Sequence, residues 1–188
     1  MNTEKISLSI IVPCYNEAPA IKGVISGLYA VLNRYLSVPF EVIVVDDGSN
    51  DGTTEVLASL GNLKGFAVCS HPYNKGYGAA VKSGVKEARY DWLAFYDADG
   101  QHTPESLISL LPFLGEYDMV VGARQGYKGP AIRQPGKMAL QWIANYLSNV
   151  KIPDINSGLR LVRKDIFLPF RDLPVYRFRK TQYQSYLP

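Results

Sequence analysis

Short apolar runs and longer amphipathic stretches alternate along the first two thirds of the chain. The runs Ile6–Val12, Glu41–Asp46, Gly65–Ser70, Asp91–Asp97 and Asp118–Ala123 are rich in β-branched or aromatic residues and mostly apolar at odd and even positions alike. That is the pattern of parallel strands covered on both faces. Between the runs the period changes. Ile21, Val24, Ile25, Leu28 and Leu32 recur at three- and four-residue spacing behind Pro19, which predicts an amphipathic helix over 18–36. Helices are likewise predicted at Thr53–Leu60, Gly78–Ala88 and Thr103–Leu114, the last with Thr103 as N-cap and Pro104 at its first position. Strand and helix in alternation predict one α/β domain, its sheet mostly parallel, its crossovers right-handed and its helices on both faces. In such a sheet ligands sit beyond the carboxyl ends of the strands. The polar segments PCYNE, DDGSNDGT, HPYNKGYG and DADGQH all fall there.

After Ala123 the pattern loosens into a loop, RQGYKGPAIRQPG, followed by a predicted helix at Lys137–Asn149 and a further strand in GLRLVRK. The 188 residues, 47% of them apolar, fill one core and hardly two. No linker divides them and no internal repeat is visible. Twenty Lys and Arg against 17 Asp and Glu give a net charge of +3. This mild bias suits phosphates or a membrane surface, and no nucleic-acid partner is expected. Cys14 and Cys69 form no CxxC pair, which argues against a disulfide scaffold or a cysteine zinc site and for a reducing compartment. Pro13 interrupts the first apolar stretch, and no later stretch reaches the roughly 20 apolar residues of a membrane span. The expectation is a soluble or peripheral chain, cytoplasmic or at the cytoplasmic face of a membrane.

The candidate chemistry is concentrated in YDADGQH. Asp97 and Asp99 stand two apart where a strand ends, a spacing that in extended chain turns both carboxylates to one side. Hard oxygen ligands of this kind suit Mg²⁺ or Mn²⁺ shared with substrate phosphates and water, with Gln101 or His102 as a neutral third partner. The competing reading is an Asx turn at Asp99-Gly100. In VVDDGSNDGT, Asp46 or Asp47 is placed to accept a base N–H or ribose hydroxyls, or else the segment is a turn capping the next helix. In PCYNEAP, Tyr15 is a platform for a nucleobase and Glu17 a ribose ligand, or both are ordinary loop residues.

A dinucleotide fold wants GxGxxG after its first strand; here GYGAAV follows the third and lacks the last glycine, and the Walker pattern is absent. Lys75 and the helix start behind it are candidates for phosphate contact, against the alternative that Gly76 and Gly78 only let the chain enter a helix whose small residues pack close to the sheet. Arg124, Lys128, Arg133 and Arg160 offer forked or point charges to phosphate, and Asp154 is a possible general base. Neither His71 nor His102 falls in a known triad pattern.

Taken in order over about residues 6–168, IIVPCYNE, VVDDGSNDGT, NKGYGAAVKSG, DADGQHTPE and DINSGLRLVRKD resemble the family 2 glycosyltransferases of the dolichyl- or polyprenyl-phosphate sugar transferase type, the group of the dolichyl-phosphate mannosyltransferases. The resemblance implies a GT-A-like nucleotide-sugar domain over 1–168. It also implies inverting, divalent-metal-dependent transfer of a hexose from a UDP- or GDP-sugar to a polyprenyl or dolichyl phosphate, in cell-envelope or glycan biosynthesis. Carried over by motif, Pro13, Tyr15, Glu17, Asp46, Asp47 and Lys75 serve the nucleotide, and Asp97, Asp99 and Gln101 the metal and diphosphate. Arg124, Arg133, Ser157 and Arg160 fall on the acceptor side, and Asp154 at the base position. Transfer to a saccharide hydroxyl, or a nucleotide-sugar-binding module without turnover, are the alternatives. The basic and aromatic tail 169–188 reads as a membrane-surface segment, a contact for a membrane protein, or a shortened, divergent end of the family pattern.

Overall fold

The computed structural model describes residues 6–100, 102–124, 157–167 and 181–186, with 123–124 and 181–186 described as backbone alone. The elements follow the apolar periodicity. β1 (Leu8–Cys14), α1 (Ala18–Tyr35), β2 (Phe40–Asp46), α2 (Thr53–Ala58), β3 (Phe66–Ser70), α3 (Tyr77–Glu87), β4 (Trp92–Phe95), α4 (Pro104–Leu110) and β5 (Met119–Arg124) alternate as the sequence predicts. A 3-10 turn (Leu111–Phe113) follows α4, and β6 (Arg160–Arg163), a short helix α5 (Lys164–Phe167) and β7 (Thr181–Tyr186) complete the described elements. The predicted helix at Lys137–Asn149 and its preceding loop lie outside the described residues.

Among the described residues seven strands form one sheet in the order β3-β2-β1-β4-β6-β5-β7. β1 pairs in parallel with β2 and β4, β2 with β3, and β5 with β7, while β6 runs antiparallel between β4 and β5. Thus the sheet is mostly parallel, and its antiparallel member is the strand read from GLRLVRK. β7 lies in the tail, where basic and aromatic residues alternate and apolar periodicity gave no strand.

The core has two layers because the central strands are apolar on both faces. Ile10, Val12, Val42, Val44 and Ala94 pack under Ile21, Ile25, Leu28 and Leu32 of α1, Leu57 of α2, and Leu107 and Leu110 of α4. Ile11, Ile43, Val45, Leu93 and Phe95 meet Ala80, Val81 and Val85 of α3. Gly84 sets how closely α3 lies, since a Cβ there would sit 2.4 Å from Ile11 Cγ2. Small residues on this helix therefore do serve close packing against the sheet, as at Gly84. Thr103 and Pro104 do open α4, although Thr103 Oγ1 pairs with Ser106 Oγ at 2.8 Å instead of capping an amide.

The chain steps outward from β1 through β2 to β3, then returns to place β4 on the other side of β1. This reversal opens a crevice at the carboxyl ends of β1 and β4.

Candidate functional site

The loops after β1 and β2 are built as one unit. Asn16 adopts a left-handed backbone conformation, φ 56°, which asparagine tolerates better than most residues. Its N–H donates to Ser49 Oγ and its side-chain oxygen accepts the Asn50 N–H, each at 2.9 Å. The Glu17 N–H donates to Thr53 Oγ1 at 2.9 Å, while the Asp51 carboxylate accepts from the Ala18 N–H at 3.1 Å and from the Thr53 hydroxyl at 2.5 Å. Tyr15 and Glu17 are thereby presented on a fixed turn.

Asp46 and Asp47 are buried, 2% and 3% exposed. Asp46 accepts the Ser49 N–H at 3.0 Å and the Thr54 hydroxyl at 2.6 Å. Asp47 faces His71 Nδ1 at 2.6 Å and accepts the N–H groups of Lys75 (2.9 Å) and Gly76 (2.7 Å). Burial alone would raise the Asp47 carboxyl. The bonds from His71, Lys75 and Gly76 outweigh it and hold the group below the usual aspartate range.

Asp97 and Asp99 meet in the crevice by a different route from the one the spacing suggested. β4 stops at Phe95, and residues 98–100 turn, with Gly100 at φ 73°. The turn rather than extended chain orients the pair. The Tyr96 hydroxyl donates to the His102 carbonyl and pins the turn from beneath, and enclosed His102 sets Nε2 3.2 Å from Asp97 Oδ2. On the other side Gly158 lies against Asp97 so closely that a Cβ would fall 1.7 Å from Oδ2. Tyr77 approaches the same carboxylate. Burial of its hydroxyl, then the Asp97 charge, push its pKa up to about 12, against the opposing charge of Arg160. The phenol therefore stays protonated, a donor toward Asp97.

Pro13, Tyr15, Glu17, Asp47, Asp97 and Asp99 line a single cleft of about 320 Å³, together with Cys14, Asn74, Gly76, Tyr77, Ala80 and Ala98. Six of the residues singled out in the sequence are thus brought together. Asp46 lies beneath them, and Lys75 is directed elsewhere, its Nζ 5.5 Å from the Tyr73 ring centre. Arg160 is half-buried, with Nε donating to the Ser157 carbonyl at 2.8 Å, and its charge reaches Tyr77. Ser157 is fully buried beneath it. Arg124 closes β5, where the backbone alone is described; Gln101, Lys128, Arg133 and Asp154 lie outside the described residues. Sequence reading gave no role to Asn74, Tyr77 or Gly158. Tyr77 stood in a motif read for its glycines, and a glycine that makes room for a carboxylate 61 positions away has no local signature.

Glu17 reports the charge of the cleft. Burial first, then the charges of Asp99 and Asp51, raise its pKa. Glu17 thus feels the negative charge of Asp99 across the cleft. Among the described residues no group of three or more His, Cys, Asp or Glu is placed to hold a metal ion. Two hard carboxylates in an open cleft suit Mg²⁺ or Mn²⁺, which keep water ligands and accept substrate phosphate oxygens.

The family profile described as glycosyl transferase family 2 matches residues 9–168. An undecaprenyl-phosphate 4-deoxy-4-formamido-L-arabinose transferase of Aeromonas hydrophila is 29% identical over 168 residues, covering 88% of this chain and 51% of that protein. A UDP-N-acetylglucosamine–dolichyl-phosphate N-acetylglucosaminyltransferase of Methanococcus voltae is 31% identical over 179 residues, covering 82% of this chain and 68% of that protein. The chain spans about half the length of the arabinose transferases it matches. Among solved structures, glucosyl-3-phosphoglycerate synthase of Mycobacterium tuberculosis, in complex with Mn²⁺, UDP-glucose and phosphoglyceric acid, superposes with a TM-score of 0.68 at 20% identity, covering 87% of this chain and 58% of that one. At that identity the likeness is one of fold.

Proposed function

Because the chain belongs to glycosyl transferase family 2, we propose that its cleft binds a nucleoside-diphosphate hexose and that the hexose is transferred, with inversion, to the phosphate of a polyprenyl or dolichyl lipid. The observation that carries this reading is the meeting of Tyr15, Glu17, Asp97 and Asp99 in one cleft at the strand-order reversal. Relatives that act on undecaprenyl and dolichyl phosphates support the class of acceptor.

In this reading Tyr15, 43% exposed at the cleft wall, lies against the base, and Glu17 accepts ribose hydroxyls. Asp97 and Asp99, with Gln101 beside them in sequence, hold a divalent ion and the diphosphate. When bound, that ion neutralises charge on the departing diphosphate. Asp46 and Asp47 shape the loops. Arg160 approaches from the SGLR side, and Arg124, Arg133 and Asp154 keep the acceptor-side roles that the resemblance implies. An oxygen of the lipid phosphate attacks the anomeric carbon as its bond to the diphosphate breaks, and the bonding pair leaves with the nucleoside diphosphate. Because that oxygen is already anionic, positioning and charge compensation matter more than proton removal. A lipid acceptor brings the protein to a membrane surface, and the expected place is its cytoplasmic face; among the described residues no helix is long and apolar enough to cross a membrane.

The test is transfer of radiolabelled hexose from UDP- and GDP-sugars to short polyprenyl phosphates, with Mn²⁺ or with EDTA. Labelled lipid formed in Mn²⁺ and lost in EDTA is the expected result. Nucleotide binding without turnover would instead identify a binding module, and product found on added saccharides alone would move the acceptor to a sugar hydroxyl.

A further inference from the structure

We propose that His71 is a positioning residue for the donor: braced between Asp47 and Ser83, it fixes the 73–76 segment so that Asn74, Gly76 and Tyr77 face the cleft. The proposal rests on reading that cleft as the donor site.

His71 follows the last residue of β3, and its N–H donates to the Asp46 carbonyl at 2.8 Å, extending the ladder by one step. Its imidazole is enclosed, with 6% of the side chain exposed. Nδ1 lies 2.6 Å from Asp47 Oδ1, and Nε2 lies 2.8 Å from Ser83 Oγ on α3. The tautomer follows from the partners. Asp47 already accepts the N–H groups of Lys75 and Gly76, so as an ionised carboxylate it accepts from Nδ1–H, which leaves Nε2 to accept the Ser83 hydroxyl proton. Asp, His and Ser in this order have the composition of a nucleophilic triad. Here, however, the serine sits within a helix with its hydroxyl turned onto the imidazole, and the three residues join the ends of β2 and β3 to α3.

The brace controls the cleft because Asp47 is the anchor of the 73–76 segment. Its two oxygens receive the Lys75 and Gly76 amides, and the rotamer that lets them do so is the one His71 holds. The segment has little room to adjust. At Gly48, φ 74°, a Cβ would lie 2.5 Å from the carbonyl carbon of Tyr73, so the backbones of the two loops are already in contact. Loss of the imidazole frees Asp47 to turn, and the two amides and the cleft-lining residues move with it.

Calorimetric titration of UDP and of GDP, each with MnCl₂, into the wild-type chain and the variants His71→Leu, His71→Gln, His71→Asn and Ser83→Ala tests this assignment. Asparagine reaches Asp47 with an N–H much as Nδ1 does, leucine reaches neither partner, and glutamine reaches toward Ser83. Removing a charge-assisted bond at a buried carboxylate is expected to weaken nucleotide binding roughly tenfold in His71→Leu and His71→Gln. His71→Asn retains most of the affinity, and Ser83→Ala falls between. In transfer kinetics the loss falls on the donor KM more than on kcat. Far-UV circular dichroism checks folding; if the leucine variant does not fold, the asparagine–glutamine pair carries the comparison. Equal affinity in wild type and His71→Gln, or equal loss in the asparagine and glutamine variants, overturns the assignment. Failure of wild type to bind either nucleotide overturns the donor-site reading first, and the role of His71 with it.

Discussion

Two pairs of aspartates stand at the carboxyl ends of β2 and β4, the strands on either side of β1, and the structure puts them to opposite use. Asp46 and Asp47 are almost wholly buried, their oxygens surrounded by the donors of Ser49, Thr54, His71, Lys75 and Gly76. Asp97 keeps 28% of its side chain exposed, and Asp99 lies at the surface of the cleft. A buried carboxylate ringed by N–H and O–H groups is a fastener, because withdrawing any donor leaves a charge poorly solvated. A carboxylate that opens onto a cleft beside Glu17 can take a cation. Motifs of similar acidity therefore separate by burial and donor supply.

The strongest way to break this contrast is to exchange charge for amide in each pair. Asp97→Asn or Asp99→Asn is expected to lower metal-dependent transfer on the order of a hundredfold with little change in urea unfolding. Asp47→Asn is expected to do the reverse first, costing about 2–3 kcal/mol of stability because the amide turns a donor toward Lys75 N–H, Gly76 N–H or His71. Equal stability losses at Asp47 and Asp97 would remove the distinction.

The pH dependence sharpens it. Asp47 titrates below the ordinary aspartate value of 3.8 in the folded protein, so its contribution is fully present above that value and is lost as pH falls through the lower folded pKa. Unfolding free energies of wild type and Asp47→Asn should therefore converge on acidification below about pH 3.8. A gap that stays constant down to pH 2 would show that Asp47 is no fastener.

Much of this arrangement was legible in advance. Apolar runs on both strand faces specified the parallel core, and the position of PCYNE and DADGQH after β1 and β4 located the crevice. Which acidic residues would face it was not legible, since DD after β2 and DAD after β4 carry similar local signals. Their difference depends on neighbours far along the chain: His71 donates to Asp47, while Tyr77 and the closely packed Gly158 flank Asp97. The extended-chain argument for Asp97 and Asp99 does not hold, because β4 ends before them and a turn brings both to one cleft. β7 escaped notice because its TQYQSY sequence has no apolar face to signal pairing with β5.

Gly158→Ala probes that long-range support with a smaller expected effect. The new methyl would fall 1.7 Å from Asp97 Oδ2 and 2.3 Å from its Cγ, so the carboxylate or the SGLR backbone must shift, at a cost of about 1–3 kcal/mol. Transfer should fall roughly tenfold through the misplaced Asp97. Combined with Asp97→Asn, the alanine should lower activity little further, since residues acting through one contact are non-additive. Fully multiplicative losses would show that Gly158 serves something other than Asp97.

The smallest expected effect is chemical, at a residue that senses both regions. Cys14 ends β1, is 3% exposed and lines the cleft. Burial, followed by the charges of Asp46, Glu17 and Asp51, pushes its thiol up to about 12. At pH 8 only about one thiol in ten thousand is then ionised, and the thiolate is the form that alkylating agents attack. Cys69 is half-buried on β3, at the edge of the sheet as described. Iodoacetamide at pH 8 is expected to modify Cys69 well before Cys14 in the folded chain, and both at similar rates in urea, as read by mass spectrometry of the peptides. Early labelling of Cys14 would mean that the loops joined by Asp46 and Asp51 open readily, and that the fastened half of the site is no firmer than the half left open to ligand.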